Sequence, residues 1–159
     1  LHLVDLEGAK TGGTPNMDTI RRIANETELF TEVGGGIRDM QTVETYLSVG
    51  VNSVILGTSA VTDENFLKAA LEKYGEKIAV GADVAEGKIA IKGWVEKSHY
   101  DIDAFMQKMQ SLGVKTVICT DVSKDGAMKG ANHALYARLT KTYNVDIVAS
   151  SSVSSIDDI

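Results

Sequence analysis

The sequence VGADVAEGKIAIKGW, residues 80–94, contains the pattern that decides the fold. Small and apolar residues lead to Asp83, a tight turn follows at Glu86-Gly87, and a short alternating segment ends on Trp94. A carboxylate at the carboxyl end of a buried strand lies where β/α barrels carry out their chemistry. An aromatic side chain on a hairpin just beyond that strand is suited to cover a bound planar ligand. The stretch therefore predicts a barrel-type site around Asp83.

On both sides of this stretch, apolar strand-like runs alternate with amphipathic helix patterns. This alternation is typical of repeated βαβ units with a parallel sheet. No GxGxxG follows the first strand, so a dinucleotide-binding fold is less favoured. A closed β/α barrel needs eight strands and about 250 residues. We therefore predict one α/β domain over residues 1–159, an incomplete barrel of about six parallel strands. The predicted strands are residues 1–6, 29–33, 53–56, 78–82, 116–120 and 146–149, and the predicted helices begin at Asn16 or Asp18, Asp39, Asp63, Asp101 and Asn132.

The composition narrows the class of partner. The net charge is −6, and 43% of the residues are hydrophobic. Without a dense Lys/Arg stripe, nucleic acid and anionic membranes are poor candidates for partners. Neither a run of transmembrane length nor a signal peptide is evident, so we expect a cytoplasmic protein. The one cysteine, Cys119, lies in an apolar run and is expected to be a buried, inert thiol.

Two glycine-rich turns are candidates for a phosphate site. Gly34-Gly35-Gly36 ends one predicted strand, and Asp39 opens the helix that follows. Glycines let the backbone approach an anion, and the N–H groups of a helix start point at it. Gly57-Thr58, on the next strand, is placed to add donors to the same anion. Each turn taken alone is equally compatible with a simple tight turn.

Six ordered motifs carry a resemblance to a known family. They are LHLVDLEGAK, EVGGGIRD, VILGTSAV, GADVAEGK, IKGW and TDVSKDG. Together they closely resemble the ProFAR isomerases of histidine biosynthesis, which are β/α barrels that rearrange an aminoaldose phosphate to an aminoketose phosphate. The sister cyclase shares the glycine turns, but VDLEGAK and GKIAIKGW favour the isomerase. A relative with dual histidine and tryptophan pathway specificity stays open.

The resemblance implies a cofactor-free and metal-free reaction on a phosphoribosyl substrate, with two carboxylates sharing the acid and base work. The matching positions are Asp83, Thr120 and Asp125 for catalysis, His2, Lys92 and Trp94 for substrate binding, and Gly35, Gly36, Gly57 and Thr58 for phosphate.

Several of these residues have plainer interpretations when taken singly. Asp125-Gly126 is by itself a turn signal. His2 near the terminus fits a surface or core histidine, and Trp94 fits packing over the strand ends. Asp5 and Arg38 are as compatible with a structural role as with substrate binding.

The departures from the family pattern bear on activity. The first motif matches the family's second strand, so we expect the first strand, with its catalytic Asp, to be absent. The last motif matches the seventh strand, so we expect the eighth strand and its phosphate turn to be absent too. Leu1 stands where an initiator Met is expected, which is typical of a chain whose start has been removed or is not represented. Relatives have Ser-Gly-Gly where this chain has Ser150-Ser151-Ser152. A serine Cβ hinders the close backbone approach that phosphate needs.

Three interpretations follow from the motifs and the departures. The chain is a ProFAR isomerase, an impaired partial barrel that binds a sugar phosphate or only oligomerises, or a fragment of a full-length isomerase. Open barrel edges expose unpaired strands and apolar surface. We therefore expect a homo-oligomer.

Overall fold

The computed structural model describes residues 1–126, 130–150 and 153–158. The chain forms two compact units, Leu1–Ala79 and Val80–Ile159. The organisation as a single domain stays a prediction. The strands are β1 His2–Val4, β2 Glu32–Gly34, β3 Ser53–Leu56, β4 Ile78–Ala85, β5 Lys88–Ile91, β6 Glu96–Asp101, β7 Thr116–Asp121 and β8 Asp146–Ser150. The α-helices are α1 Leu6–Thr11, α2 Met17–Glu26, α3 Met40–Ser48, α4 Thr58–Thr62, α5 Glu64–Tyr74, α6 Ile102–Ser111 and α7 His133–Thr142, with short 3-10 turns at Gly75–Lys77 and Ile156–Asp158.

The first unit is built from parallel strands joined by helices. β1 pairs with β2, and β2 pairs with β3, both in parallel register. All four residues of β3 are buried. α3 buries Val43 and Tyr46, which lie three residues apart on one helix face. This arrangement confirms the α/β class, because helices connect parallel strands and bury one face each.

The second unit combines parallel pairing with an antiparallel extension. β7 pairs with β4 and, in parallel register, with β8. β4 also continues into an antiparallel hairpin with β5, and β5 pairs antiparallel with β6. The turn at Glu86-Gly87 has positive φ at both residues, 51° and 77°. This geometry is typical of two-residue hairpin turns, and it agrees with the predicted tight turn.

The predicted helix starts agree with the structure where a side chain caps the helix. In each of four helices a capping oxygen accepts the backbone N–H three residues further on. Such a bond satisfies a donor that the helix itself leaves unpaired. The capping residues are Asp39, Asp63, Asp101 and Asn132.

Several local predictions need correction. The strand predicted for residues 1–6 stops at Val4, because the Asp5 carboxylate accepts the N–H of Gly8 at 2.7 Å and starts α1. α1 and α4 lie where the sequence indicated loops, and β6 was not predicted. β2 begins at Glu32 rather than residue 29, because the N–H of Thr31 donates to the Asn52 side chain at 2.7 Å instead of to a strand. β4 runs on to Ala85 because the hairpin extends it, so Asp83 lies within the strand rather than after it.

Asp5 is a buried carboxylate that organises the first unit. It is 2% exposed, and it accepts hydrogen bonds from Gly8 N–H, from Asn16 Nδ2 at 2.8 Å and from Tyr46 Oη at 3.1 Å. Burial tends to raise the pKa of Asp5, but these hydrogen bonds outweigh it and hold the pKa below its usual value. Burial and the negative charge of Asp5 raise the pKa of Tyr46.

The main chain after β1 packs closely against the end of β2. Gly35 and Gly36 have positive φ, 111° and 73°. A Cβ at Gly35 would lie 2.3 Å from the carbonyl oxygen of Asp5, and one at Gly36 would lie 1.9 Å from that of Gly8. Only glycine fits such an approach without moving the backbone.

No helix in the described part of the chain combines the length and the apolar character that a membrane span requires.

We predict that Gly36→Ala lowers the free energy of unfolding by at least about 2 kcal/mol, because the new Cβ overlaps the main chain of α1. Urea unfolding followed by circular dichroism measures the change. Gly13→Ala is the control, since a Cβ there meets only Thr11 Oγ1, at 3.7 Å. Equal losses of stability in the two variants would contradict the packing argument.

We predict that Tyr46→Phe destabilises the protein by about 2 kcal/mol at pH 7, because it removes a hydrogen bond to a buried carboxylate. The ionised Asp5 carboxylate contributes to the free energy of unfolding in full above its unfolded-state pKa, about 3.9. This contribution is lost as the pH falls through the lower folded-state pKa. The difference between variant and parent should therefore shrink between pH 7 and pH 3. Val43→Ala, which removes only packing, should show a difference that does not change with pH. If the stability difference between Tyr46→Phe and the parent were as large at pH 3 as at pH 7, the effect of Tyr46 would not depend on the ionisation of Asp5.

Candidate functional site

Two predicted catalytic residues of the second unit lie near the same end of a strand pair. β4 pairs with β7, and the N–H of Val122 donates to the carbonyl of Val84 at 2.9 Å. Asp83 precedes Val84 by one residue, and Thr120 precedes Val122 by two. The backbone hydrogen bond therefore ties the chain at Asp83 to the chain beyond Thr120.

The Asp83 carboxylate is held by an aromatic side chain from the hairpin. Trp94 Nε1 donates to Asp83 Oδ2 at 2.8 Å. Asp83 pairs with Ala90 across the hairpin, which returns the chain towards the carboxylate. The Trp94 residue is 45% exposed. The indole therefore orients one carboxylate oxygen while part of its ring faces solvent.

The turn that carries Trp94 has an unusual backbone. Lys92, Gly93 and Trp94 have consecutive positive φ values of 55°, 64° and 70°. Left-handed backbone costs a non-glycine residue roughly 1–2 kcal/mol. Lys92 Nζ also forms an ion pair with Glu96 Oε1 at 2.9 Å. The cation predicted to contact substrate thus has a carboxylate partner within its own hairpin.

Asp125 lies exposed in the loop after β7. Its N–H donates to the carbonyl of Asp121 at 3.0 Å. Asp121 is 6% exposed, and its carboxylate accepts bonds from Ser123 and from Asn132 Nδ2. Burial tends to raise the pKa of Asp121, but these hydrogen bonds hold it below its usual value.

The motif-based prediction missed Asp121 as a residue that organises the site. It is the second residue of TDVSKDG, but only Thr120 and Asp125 of that motif carried an expected role. The available signal was an acid directly after an apolar strand, followed 11 residues later by a helix-capping Asn.

Cys119 is buried, as predicted. Burial raises the pKa of its thiol to about 12, and the negative charges of Asp121 and Asp83 contribute in the same direction. A raised pKa leaves little thiolate at neutral pH, which supports the prediction of an inert cysteine.

The candidate substrate and phosphate residues of the first unit have structural partners. His2 Nδ1 lies 2.9 Å from Glu32 Oε1, on the strand residue that pairs with it. Gly35 and Gly36 contact the main chain after β1. Packing alone therefore requires glycine at both positions, whether or not phosphate binds.

Gly57 differs from the earlier glycines. A Cβ added there would meet no atom within 4 Å, and the residue is exposed at the start of α4. Thr58 is the first residue of that helix. The backbone here is open to an approaching anion. Packing does not explain this glycine, and its phosphate role stays a prediction.

Arg38 and the serine turn complete the comparison with the predicted site. Arg38 Nη2 donates to the carbonyl of Ala9 at 2.9 Å, which favours its structural interpretation. Ser151 and Ser152 lie outside the described residues. Among the residues that are described, no group of three or more His, Cys, Asp or Glu is arranged to hold a metal ion.

Comparison with known proteins gives consistent matches over the whole chain. The family model described as histidine biosynthesis protein matches residues 1–159. The chain is similar to proteins named 1-(5-phosphoribosyl)-5-((5-phosphoribosylamino)methylideneamino) imidazole-4-carboxamide isomerase. It is 45% identical over 159 residues to that of Ruminiclostridium cellulolyticum, covering 100% of this chain and 67% of the relative. For the proteins of Lactococcus lactis subsp. lactis and Acetivibrio thermocellus the identities are 47% over 161 residues and 41% over 159 residues, with the same coverage. The chain thus spans about two thirds of the length of these relatives.

Proposed function

Since this chain belongs to the histidine biosynthesis protein family, we propose that it acts in the reaction of ProFAR isomerase, the Amadori rearrangement of an aminoaldose phosphate to an aminoketose phosphate. The observation that carries the proposal is the Asp83 carboxylate near the end of β4, with the Trp94 indole bonded to it at 2.8 Å. The carboxylate can transfer a proton, and the indole can stack on a heteroaromatic group of a phosphoribosyl substrate.

The reaction needs proton transfer at two atoms. An acid protonates the ribose ring oxygen, the bond from that oxygen to C1 breaks, and the nitrogen lone pair forms a protonated Schiff base. A base then removes the C2 proton, and the resulting enolamine becomes the ketose. Each transfer by a positioned side chain contributes about 10²–10⁴-fold to the rate. We assign one member of this acid and base pair to Asp83.

The remaining candidates have supporting roles in the proposal. Thr120 and Asp125 assist catalysis from the end of β7 and the loop after it. His2, Lys92 and Trp94 contact the substrate, with the exposed ring of Trp94 available for stacking. The phosphate-binding residues are Gly35, Gly36, Gly57 and Thr58.

The proposed reaction conserves oxidation state overall, so it uses no redox cofactor, and no metal is assigned to it. The partner is a phosphoribosyl compound, and the net charge of −6 argues against nucleic acid. We propose a cytoplasmic location, in keeping with a biosynthetic family.

A binding role without turnover is the second candidate. Ser151 and Ser152 stand where the family pattern has glycine, and a serine Cβ hinders the close backbone approach that phosphate needs. This departure favours a chain that holds a sugar phosphate at its other phosphate turn without converting it.

We predict that any ProFAR isomerisation by the purified chain is abolished by Asp83→Asn, because the amide neither gives nor takes the proton. Spectrophotometric turnover measures the effect, and Asp146→Asn, which alters an exposed carboxylate, is the control. Turnover that persists in Asp83→Asn would contradict the assignment. Calorimetric titration with ProFAR separates a binder from an inert chain if turnover is absent.

We also propose that the chain self-associates through strand edges. Among the described strands, β1 pairs only with β2, and β8 only with β7. Leu1, Val4 and Leu6, in and beside β1, are 50%, 51% and 75% exposed. Unpaired edges with exposed apolar side chains favour pairing with another chain.

We expect a dimer or larger species at micromolar concentration in analytical ultracentrifugation. Val4→Lys should weaken association by at least about tenfold, because a lysine at an edge strand opposes pairing. Val95→Lys is the matched control, since Val95 is 83% exposed in the turn between β5 and β6 and lies outside both β1 and β8. A dispersed monomer in the unaltered chain would exclude self-association.

A further inference from the structure

Two strand ends, one in each unit, are joined to the start of a later helix by an Asp–Asn pair of side chains. Asp5 follows β1, and Asp121 ends β7. Each is buried, and each accepts a hydrogen bond from the Nδ2 atom of an asparagine 11 residues further on, at 2.8 Å from Asn16 and 2.6 Å from Asn132. Each asparagine directly precedes a helix. The repeated spacing indicates a common way of linking the end of a strand to the start of a later helix.

In the second unit this pair governs the loop that contains Asp125. Asp121 Oδ1 accepts the N–H and the hydroxyl of Ser123, at 3.0 and 2.6 Å. The carbonyl of Asp121 accepts the N–H of Lys124 and that of Asp125, each at 3.0 Å. Asp121 therefore binds three of the four residues that follow it.

Asn132 ties the start of α7 to Asp121. Its Nδ2 donates to Asp121, while its Oδ1 accepts the N–H of Leu135 and caps α7. In the described part of the chain, Asp125 is held only through its backbone N–H, and its side chain is exposed. Asp125 is thus placed by the main chain of Asp121, and the side chain of Asp121 is in turn bonded to Asn132.

We propose that Asp121 and Asn132 are positioning residues, which hold the 122–126 loop so that Asp125 meets the phosphoribosyl substrate. This inference rests on the proposed function, and it adds two residues that act through Asp125. The Asp121 carboxylate is buried among donors, so it resists protonation and keeps the loop in one arrangement at neutral pH.

A side-chain exchange tests the pair. Asn132→Asp keeps the oxygen that caps α7, but it places two carboxylates against each other. Asp121→Asn removes the acceptor charge. The double variant Asp121→Asn/Asn132→Asp restores a hydrogen bond with the donor and acceptor reversed. Asn144→Asp, an exposed change in the same unit, controls for the added charge.

We expect each single variant to weaken ProFAR binding, measured by calorimetry, by at least about tenfold, and the double variant to recover to within about threefold. Asn132→Asp should also recover as the pH is lowered from 8 to 5, because one carboxyl of the pair then takes up a proton. A double variant that folds but binds no better than the single variants would overturn the proposal. So would single variants with unchanged affinity.

Amide hydrogen exchange at Ser123, Lys124 and Asp125 separates this inference from the proposed function. Asn132→Ser, which keeps a capping oxygen and removes the amide donor, serves here if the charged variants do not fold. If the unaltered chain neither binds nor converts ProFAR, the proposed function is overturned. Amide exchange then tests whether Asp121 and Asn132 position the loop. Faster exchange in the single variants that the double variant reverses supports this role, and unchanged exchange in the single variants overturns it.

Discussion

A carboxylate taken out of water at the end of a strand must find its hydrogen bonds within the protein, and this requirement shapes the loops of the molecule. An unpaired buried charge costs several kcal/mol, so the chain around it adopts the conformation that brings donors to it. Asp5 gathers Gly8, Asn16 and Tyr46, and this places the start of α1 against the end of β2. The absence of a side chain at Gly36 is a consequence of that placement.

The second unit meets the same requirement with different elements. Asp121 gathers donors from its own loop and from Asn132 at the start of the next helix. Asp83, which is only partly buried, finds a donor on a hairpin, through the indole of Trp94. A catalytic role for Asp83 is compatible with these surroundings, because the indole that donates to its carboxylate lies on a turn rather than within the packed strands. The left-handed backbone of that turn makes it a high-energy conformation, which local contacts such as the Lys92–Glu96 ion pair support.

The features that could be predicted from the sequence are those decided by neighbouring residues. Helix caps at Asp39 and Asp101 were predictable, because a capping side chain acts within one turn. The glycines were harder to interpret. A bound anion and a closely packed main chain both exclude a Cβ, so Gly35 and Gly36 have the same sequence pattern in either case. The position of Asp83 within β4 depends on pairing with β5, and the role of Asp121 depends on a partner 11 residues away.

Cys119 lies in β7 two residues before Asp121, fully enclosed. As the single thiol of the chain, it is a native reporter for the opening of this strand. A thiol reagent in solution can react with it only when β7 is exposed, so the labelling rate under native conditions measures how often the strands beneath the candidate site separate. Ligands that bind above β7 would slow that rate without touching the sulfur. The protein thus contains its own probe of local stability at the place where its proposed chemistry occurs.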